Sequence, residues 1–465
     1  MKNRSLPKEL IHEKIDDKHL FFNPYSGRYI VTDKVGSWFI NDYNGDTEPL
    51  LDKYSQFFGT DKKKTKKRLE NYLEELDIVR MFQLPEKDNN HIRPPQSSCI
   101  EITSGCNLRC KTCYVNSSTP DSSEMNTKEI KNVVDQLTDL GVKNISIIGG
   151  EPLIRKDLYE IVKYIIERNI AAGISTNGTL LNDEFVKKIS KLRSRKHFGR
   201  DFASKSMLRS LSLLHNIWVQ VSLDGSTPDI HDLNRGKGAF KKAMNGINLL
   251  KKYNIPFSIS SVIIKSNAKD VGRICDLANS LGAKSIIFHK LHSCGRAVKH
   301  KELIPKTEEL IYAMTTILNK GIEYKGKLVV DLPHNRVFSG CNRVNAKYIG
   351  CHFGRFSIYI NSKGDITTCS HLQNGAYCFG NIRKDNIRDV WYNSKALDKL
   401  RNLTVTDIES CSNCNYKYAC RGSCRAEAHY TNGSIKSSCP DCDALKRYYN
   451  TVFQFLLNHS KITPL

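Results

Sequence analysis

Cys106, Cys110 and Cys113 stand in a C-x3-C-x2-C spacing, CNLRCKTC, directly after the β-prone run IEIT that begins at Ile100. Three thiolates this close in sequence can wrap one cubane iron–sulfur cluster, but they leave its fourth iron without a protein ligand. A vacant coordination position separates a reactive metal site from a structural one, as it does for catalytic zinc. An open iron is therefore a place for chemistry. The competing reading of the triad is a zinc knuckle, or a pair of thiols spaced by chance.

The sequence around the triad alternates apolar, β-prone runs with helical stretches. After IEIT come ISII from Ile145, IAAGIS from Ile170, IWVQVSL from Ile217, FSISSVII from Phe257 and SIIFHK from Ser285. This rhythm predicts an α/β fold, a partial (β/α)6 TIM-like barrel whose site collects at the carboxyl ends of its strands. A basic segment at residues 192–216 is longer than a βα connection needs, and its role is not legible. Ahead of the barrel, HLFFNPYSGRYIVTD sets turn residues Asn23, Pro24, Ser26 and Gly27 beside GRYIVT and predicts a hairpin. Leu69, Tyr72, Leu73 and Leu76 recur at helical spacing, so an amphipathic helix of about four turns is expected from near Asp61. LPEKDNNHIRPPQS reads as a linker. Past Leu332 the βα rhythm stops and cysteines accumulate, and the fold of that part is attributed to metals rather than to a large core. The divisions are thus a front module at 1–83, a linker at 84–97, the barrel at 98–325 and a cysteine-rich domain at 326–465.

Bulk properties narrow the compartment and the partners. No run of about 18 apolar residues occurs and the start, MKNRSLPKELIHEK, is polar, so a cytoplasmic chain without a membrane span is expected. Sixteen cysteines in such a compartment favour metal ligation over disulfides. A net charge of +23 suits nucleic acid, a membrane surface or an acidic peptide, or else only a solvated basic surface. KKKTKK at 62–67 reads as the exposed face of a helix.

With its following motifs, the triad resembles the radical S-adenosylmethionine (SAM) superfamily. Thr112 stands where that family usually has an aromatic residue, and Tyr114 follows the last cysteine. GGEP (Gly149, Gly150, Glu151, Pro152), STNGT with Ser175 and Asn177, SLDG with Ser222 and Asp224, and Arg235 in HDLNRG come in the family's order at predicted strand ends. The resemblance implies that Cys106, Cys110 and Cys113 hold a [4Fe–4S] cluster whose open iron is chelated by SAM. It also implies that an electron cleaves SAM and that the resulting 5′-deoxyadenosyl radical takes hydrogen from a substrate. In physical terms the glycines let the backbone approach a ligand. Glu151 is expected to accept from the SAM ammonium, Arg235 to pair with its carboxylate, and the hydroxyls and amide to lie near its ribose and methionine.

The last third carries Cys341, then Cys351 and Cys369 around Gly364, then C-x2-C-x5-C-x3-C at Cys411, Cys414, Cys420 and Cys424, and Cys442. Such pairs fit zinc ribbons as well as clusters. In this context the spacing, with FGNIRKDNIRDVWYNS, resembles the SPASM domain that carries auxiliary [4Fe–4S] clusters. The resemblance implies one cluster on Cys341, Cys351, Cys369 and Cys424 and another on Cys411, Cys414, Cys420 and Cys442, three clusters in all, the auxiliary pair serving electron transfer and support. Cys439 competes with Cys442, and Cys341 is the least fixed ligand of the pattern.

The front module, with NPYSGRYIVTD and LENYLEEL, resembles the RiPP recognition element, a winged-helix unit that captures the leader of a ribosomally made precursor peptide by strand addition. The whole order resembles sactipeptide maturases, which implies joining a precursor cysteine sulfur to an α-carbon, with an external electron donor of flavodoxin or ferredoxin type. Rival readings keep the radical and change the outcome: sulfatase maturation, carbon–carbon crosslinking, or epimerisation with Cys294 of LHSCGRA as hydrogen donor. A zinc-dependent nucleic-acid-binding protein is the remote alternative. Aromatic residues are not interleaved with the basic runs, so nucleic acid is not expected as a partner, and without a long apolar run neither is a membrane.

Overall fold

Asn23 is the pin of the front module. Its side-chain oxygen accepts from the Tyr25 and Ser26 amides (2.8 and 3.3 Å), turning the chain, while its amide nitrogen donates to the Met81 and Gln83 carbonyls (2.8 and 3.0 Å). In this computed structural model, which describes residues 5–84, 92–193, 215–331, 348–350, 354–373 and 375–465, that turn joins β2 (Lys18–Asn23) to β3 (Arg28–Thr32) as the expected hairpin. β1 (Ile11–Ile15) completes an antiparallel sheet in the order β1-β2-β3. Three helices cover it: α1 (Lys34–Asp42), α2 (Leu51–Phe58) and α3 (Lys62–Ile78). Asp61 caps α3 by accepting from the Lys64 amide, and Leu69, Tyr72, Leu73 and Leu76 form its buried stripe. Lys62, Lys63, Lys64 and Lys67 lie on its exposed face, as the sequence predicts.

All six expected barrel strands form, and they run parallel in sequence order: β4 (Ser97–Glu101), β5 (Asn144–Ile148), β6 (Ala171–Thr176), β7 (Ile217–Ser222), β8 (Phe257–Ile263) and β9 (Ser285–Lys290). Their Ile, Val and Phe side chains are buried in one core with the outer helices, while Ser146, Ser175, Gln220, Ser222 and Ser260 are only partly buried. β10 (Val329–Asp331) adds a parallel strand beside β9. At the other edge β11 (Ser357–Ile360) pairs parallel with β4 and continues into the antiparallel β12 (Asp365–Thr367) and β13 (Gly380–Asn381), making ten strands in one sheet.

That pairing corrects the expectation that metals alone organise the cysteine-rich part. Its strand β11 is built into the barrel sheet, and Trp391, Tyr448, Tyr449 and Phe453 are buried in the same apolar core as the barrel strands. Each such ring contributes on the order of 1.5–3 kcal/mol by burial. The helix Cys442–His459 packs on the helix Thr307–Glu323 and touches β1 and β2, tying the last module to the first. Cys341, Cys351, most of the basic segment 192–216 and half of the linker 84–97 lie outside the described residues. Among the described residues no helix is long and apolar enough to cross a membrane.

Candidate active site

A cavity of about 430 Å³ opens at the carboxyl ends of the barrel strands, within the range of small-molecule sites. Cys106, Cys110 and Cys113 form part of its wall, together with Tyr114, Ser175, Asn177, Ser222 and Arg235. The loop bearing the three thiols is held rigidly from several sides. The Cys106 amide donates to the Ser118 carbonyl (2.8 Å). Asn234, buried, accepts from the Thr112 amide (3.1 Å) and donates to the Thr112 hydroxyl (2.9 Å). The residue that departs from the family's aromatic pattern thus has a dedicated polar partner. Arg296 donates to the carbonyls of Cys110 (2.7 Å) and Ser117 (2.6 Å), and its amide donates to that of Cys113 (2.8 Å).

The donor set fits a thiolate-ligated cluster. Backbone amides point at two of the sulfurs, Leu108 at Cys106 (3.4 Å) and Ser117 at Cys113 (3.3 Å), the contacts that support charge on cluster sulfur. Burial pushes the Cys106 thiol up to about 11, and ligation to a metal would favour its thiolate. The Cys110 thiol is likewise raised by burial, against the pull of Arg235.

GGEP packs tightly against the cysteine loop. A Cβ at Gly149 would lie 2.6 Å from the Thr103 carbonyl oxygen, and one at Gly150 would lie 2.1 Å from that of Gly105. These glycines line the cavity, but what demands them is the cysteine loop, to which the Gly150 and Glu151 amides donate (2.8 Å each). Pro152 is buried in the short turn that follows. Glu151 is fully buried behind the wall, where its carboxylate accepts from the Thr176 hydroxyl (2.7 Å), the Asn177 amide (2.8 Å) and the Leu153 amide (3.2 Å). Burial pushes this carboxyl up to about 6 against those hydrogen bonds. In this arrangement Glu151 ties the GGEP and STN loops together. Asp224 is also buried and off the wall. It binds the Arg235 guanidinium (2.6 Å) and accepts from Asn234 (2.7 Å) and the Val262 amide (2.9 Å), aiming Arg235 along the wall beside Cys110.

The cavity is also lined from β9 and the last module. His289, Lys290, His292 and Arg296 line it, with Ser370 and His371 entering from beyond β12. The Tyr114 ring stacks on His371 with centroids 4.6 Å apart. Sequence reasoning missed these six residues. Four follow or end the strand SIIFHK, where the strand-end rule applies; Ser370 and His371 had no local signal. Cys294 is buried (3 % exposed) and the structure does not bring it to the cavity wall. Burial pushes its thiol up to about 12. Its neighbour Gly295 is the constrained position: φ is +58° and a Cβ would lie 2.3 Å from the Tyr114 carbonyl oxygen and 2.5 Å from that of Cys113. Gly295→Ala is therefore expected to strain the cysteine loop by about 1–3 kcal/mol, seen as faster bleaching of the reconstituted cluster's visible absorbance in chelator, whereas Gly282→Ala, in open space, should not change that rate.

Two groups of cysteines stand in the last module. Half-buried Cys420 lies near Cys411, Cys439, Cys442 and Cys414, and burial together with these neighbours raises its thiol. Both Cys439 and Cys442 are thus near this group. Cys424 stands with His292 and Glu427, and Cys369 beside His371, both against one apolar cluster.

Residues 100–278 match the radical SAM superfamily, and residues 351–415 match the SPASM iron–sulfur cluster-binding domain. The AdoMet-dependent heme synthase of Methanosarcina barkeri is 29% identical over 362 residues, 75% of this chain and 96% of that protein. The mycofactocin maturase of Mycobacterium tuberculosis is 27% identical over 345 residues, 74% of this chain and 81% of that one. The structure of Streptococcus suis SuiB bound to precursor peptide SuiA superposes with a TM-score of 0.60 at 15% identity, covering 94% of this chain and 99% of that one. The sheet, the open-sided cysteine loop and these matches together make this a chain with a radical SAM domain, a SAM- and [4Fe–4S]-binding unit, followed by a SPASM iron–sulfur domain.

Proposed function

We propose that this chain modifies a ribosomally made precursor peptide, joining a cysteine sulfur to an α-carbon of the same peptide. The observation that carries the peptide reading is the front module: a three-stranded sheet packs on the helix Cys442–His459 of the last module, and the fold likeness to SuiB extends over 94% of the chain. An edge strand offers unpaired main-chain groups to an extended peptide. The mycofactocin maturase likeness supports the same class of substrate.

In this reading Cys106, Cys110 and Cys113 hold the SAM-binding cluster, Arg235 pairs with the SAM carboxylate, and Asn177 and Ser175 face the rest of the cofactor. Bound there, cluster and SAM supply hydrogen-atom abstraction through a 5′-deoxyadenosyl radical. Cys411, Cys414, Cys420 and Cys442 hold one auxiliary cluster. Cys369 and Cys424, with Cys341 and Cys351, hold the other, and an external flavodoxin- or ferredoxin-type protein delivers electrons. Tyr114, His371 and His292 close the wall facing the peptide and exclude water from it.

A second reading, a tetrapyrrole substrate, is favoured by the 29% identity to the heme synthase and by three histidines in one wall. One experiment separates the two. Reconstituted enzyme with SAM, a reductant and the precursor encoded beside it should yield 5′-deoxyadenosine and a peptide lighter by two hydrogens per crosslink. Turnover of an iron porphyrin with an unchanged peptide mass would establish the second reading instead.

A further inference from the structure

β3 pairs with β2 on one side only, yet its outer edge is covered. Residues 460–465 run along it. The Thr463 amide donates to the Val31 carbonyl (2.8 Å), the Thr32 hydroxyl donates to the Thr463 carbonyl (2.8 Å), and the Tyr29 and Ser460 hydroxyls meet at 3.2 Å. Arg68 on α3 donates to the Leu465 main-chain oxygen (2.7 Å), and the Leu465 side chain, 5 % exposed, is buried in the module's apolar core with Phe39, Leu69 and Leu73. The Thr32 hydroxyl is itself buried and accepts from Tyr72 (2.7 Å), so the bond to Thr463 is positioned by the core. Main-chain pairing on a sheet edge with an apolar side chain seated in a pocket is strand addition, made here within one chain.

We infer that residues 460–465 are a strap that occupies the peptide-accepting edge of β3 and is displaced when a precursor leader pairs there. The inference rests on the precursor reading above. Two features make the strap an occupant rather than a fixed strand. It is held by a handful of hydrogen bonds and one leucine, and Pro464 supplies no amide to extend a ladder. It is also tethered to the rigid helix Cys442–His459, which keeps its local concentration at the edge high. A leader must then do what the strap does, pairing with Val31 and placing an apolar side chain in the Leu465 pocket. A weakly matching peptide would leave the strap in place, so the strap sets a threshold for which precursors are admitted.

The test uses the synthetic precursor encoded beside the chain, labelled with a fluorophore, titrated into the full chain, a chain ending at His459 and the full-length variant Thr463→Pro, which removes the donated amide. Both altered chains should bind about tenfold more tightly, the ratio for a strap seated about nine-tenths of the time. On adding precursor to the full chain, hydrogen exchange in 460–465 should accelerate while β3 stays protected. Equal affinities in all three chains, weaker binding by the altered ones, or a strap that stays protected at saturating precursor overturns the strap and leaves the precursor reading intact. Absence of saturable binding by any of the three overturns both. Thr463→Pro keeps the comparison decisive if the shortened chain fails to fold.

Discussion

Alanine at Cys106, Cys110 or Cys113 is expected to reduce SAM cleavage to background, with no 5′-deoxyadenosine above the level of a reaction lacking reductant. A cubane with three protein ligands and one open iron has no ligand to spare, and losing a thiolate leaves two irons without protein support. The loop itself should persist, because its main chain is fixed by Asn234, Arg296 and the Ser118 carbonyl rather than by the sulfurs. Each variant should therefore fold and contain about four fewer irons than the parent, out of about twelve if three cubanes are present. Cys411→Ala should show the other pattern, losing a similar amount of iron, retaining some SAM cleavage and making no modified peptide. A triad variant that still cleaves SAM, or a Cys411 variant that abolishes cleavage while a triad variant does not, would reverse this division of labour.

The barrel was legible because each strand buries Ile, Val or Phe on its helix-facing side and recurs as a short β-prone run set between helices. All six fall within three residues of where those runs begin. α1 and α2 were not legible. KVGSWFIND mixes a glycine, two β-branched residues and two aromatics that have weak helix propensity, and it is helical because Phe39 and Ile40 bury themselves against the sheet while Asp33 caps its start. β1 is equally disguised, with a charged IHEKI whose pairing to β2 is set by the hairpin.

At the site, residues that touch the cavity from consecutive strand ends could be read one by one, and the triad, Ser175, Asn177, Ser222 and Arg235 all line it. What sequence could not distinguish was facing the cavity from supporting its wall. Glu151 and Asp224 are acidic residues at strand ends, the expected place for ligand contacts, yet both are buried behind the wall and consumed by neighbouring donors. LHSCGRA drew attention for its thiol, but it is Gly295 and Arg296 that engage the cysteine loop. The contribution of His371 depends on β11 joining the barrel sheet, a long-range pairing with no local signature.

Lys290→Met is expected to destabilise the junction between barrel and last module by about 3 kcal/mol, the low end of the cost of taking the cation from a buried carboxylate. Lys290 ends β9, is 5 % exposed, and donates to Glu427 (2.5 Å) and to Asp441. Burial opposes its charge, but Glu427, Cys439 and Asp441 outweigh it and hold the ammonium above its usual range. Glu427 is 4 % exposed and also meets His292 (3.3 Å), so removing the lysine leaves a buried carboxylate to the imidazole. Methionine preserves the apolar stem and isolates the charge. The loss should appear as a lower urea midpoint for the last module, followed by the fluorescence of Trp391, and as easier iron loss, because Asp441 adjoins Cys442. Adding Glu427→Gln should restore part of the stability, since the two side chains share one network and their effects should not add. If Lys290 served only the substrate, its methionine variant would keep the parental midpoint and lose product formation alone, and the double variant would recover nothing.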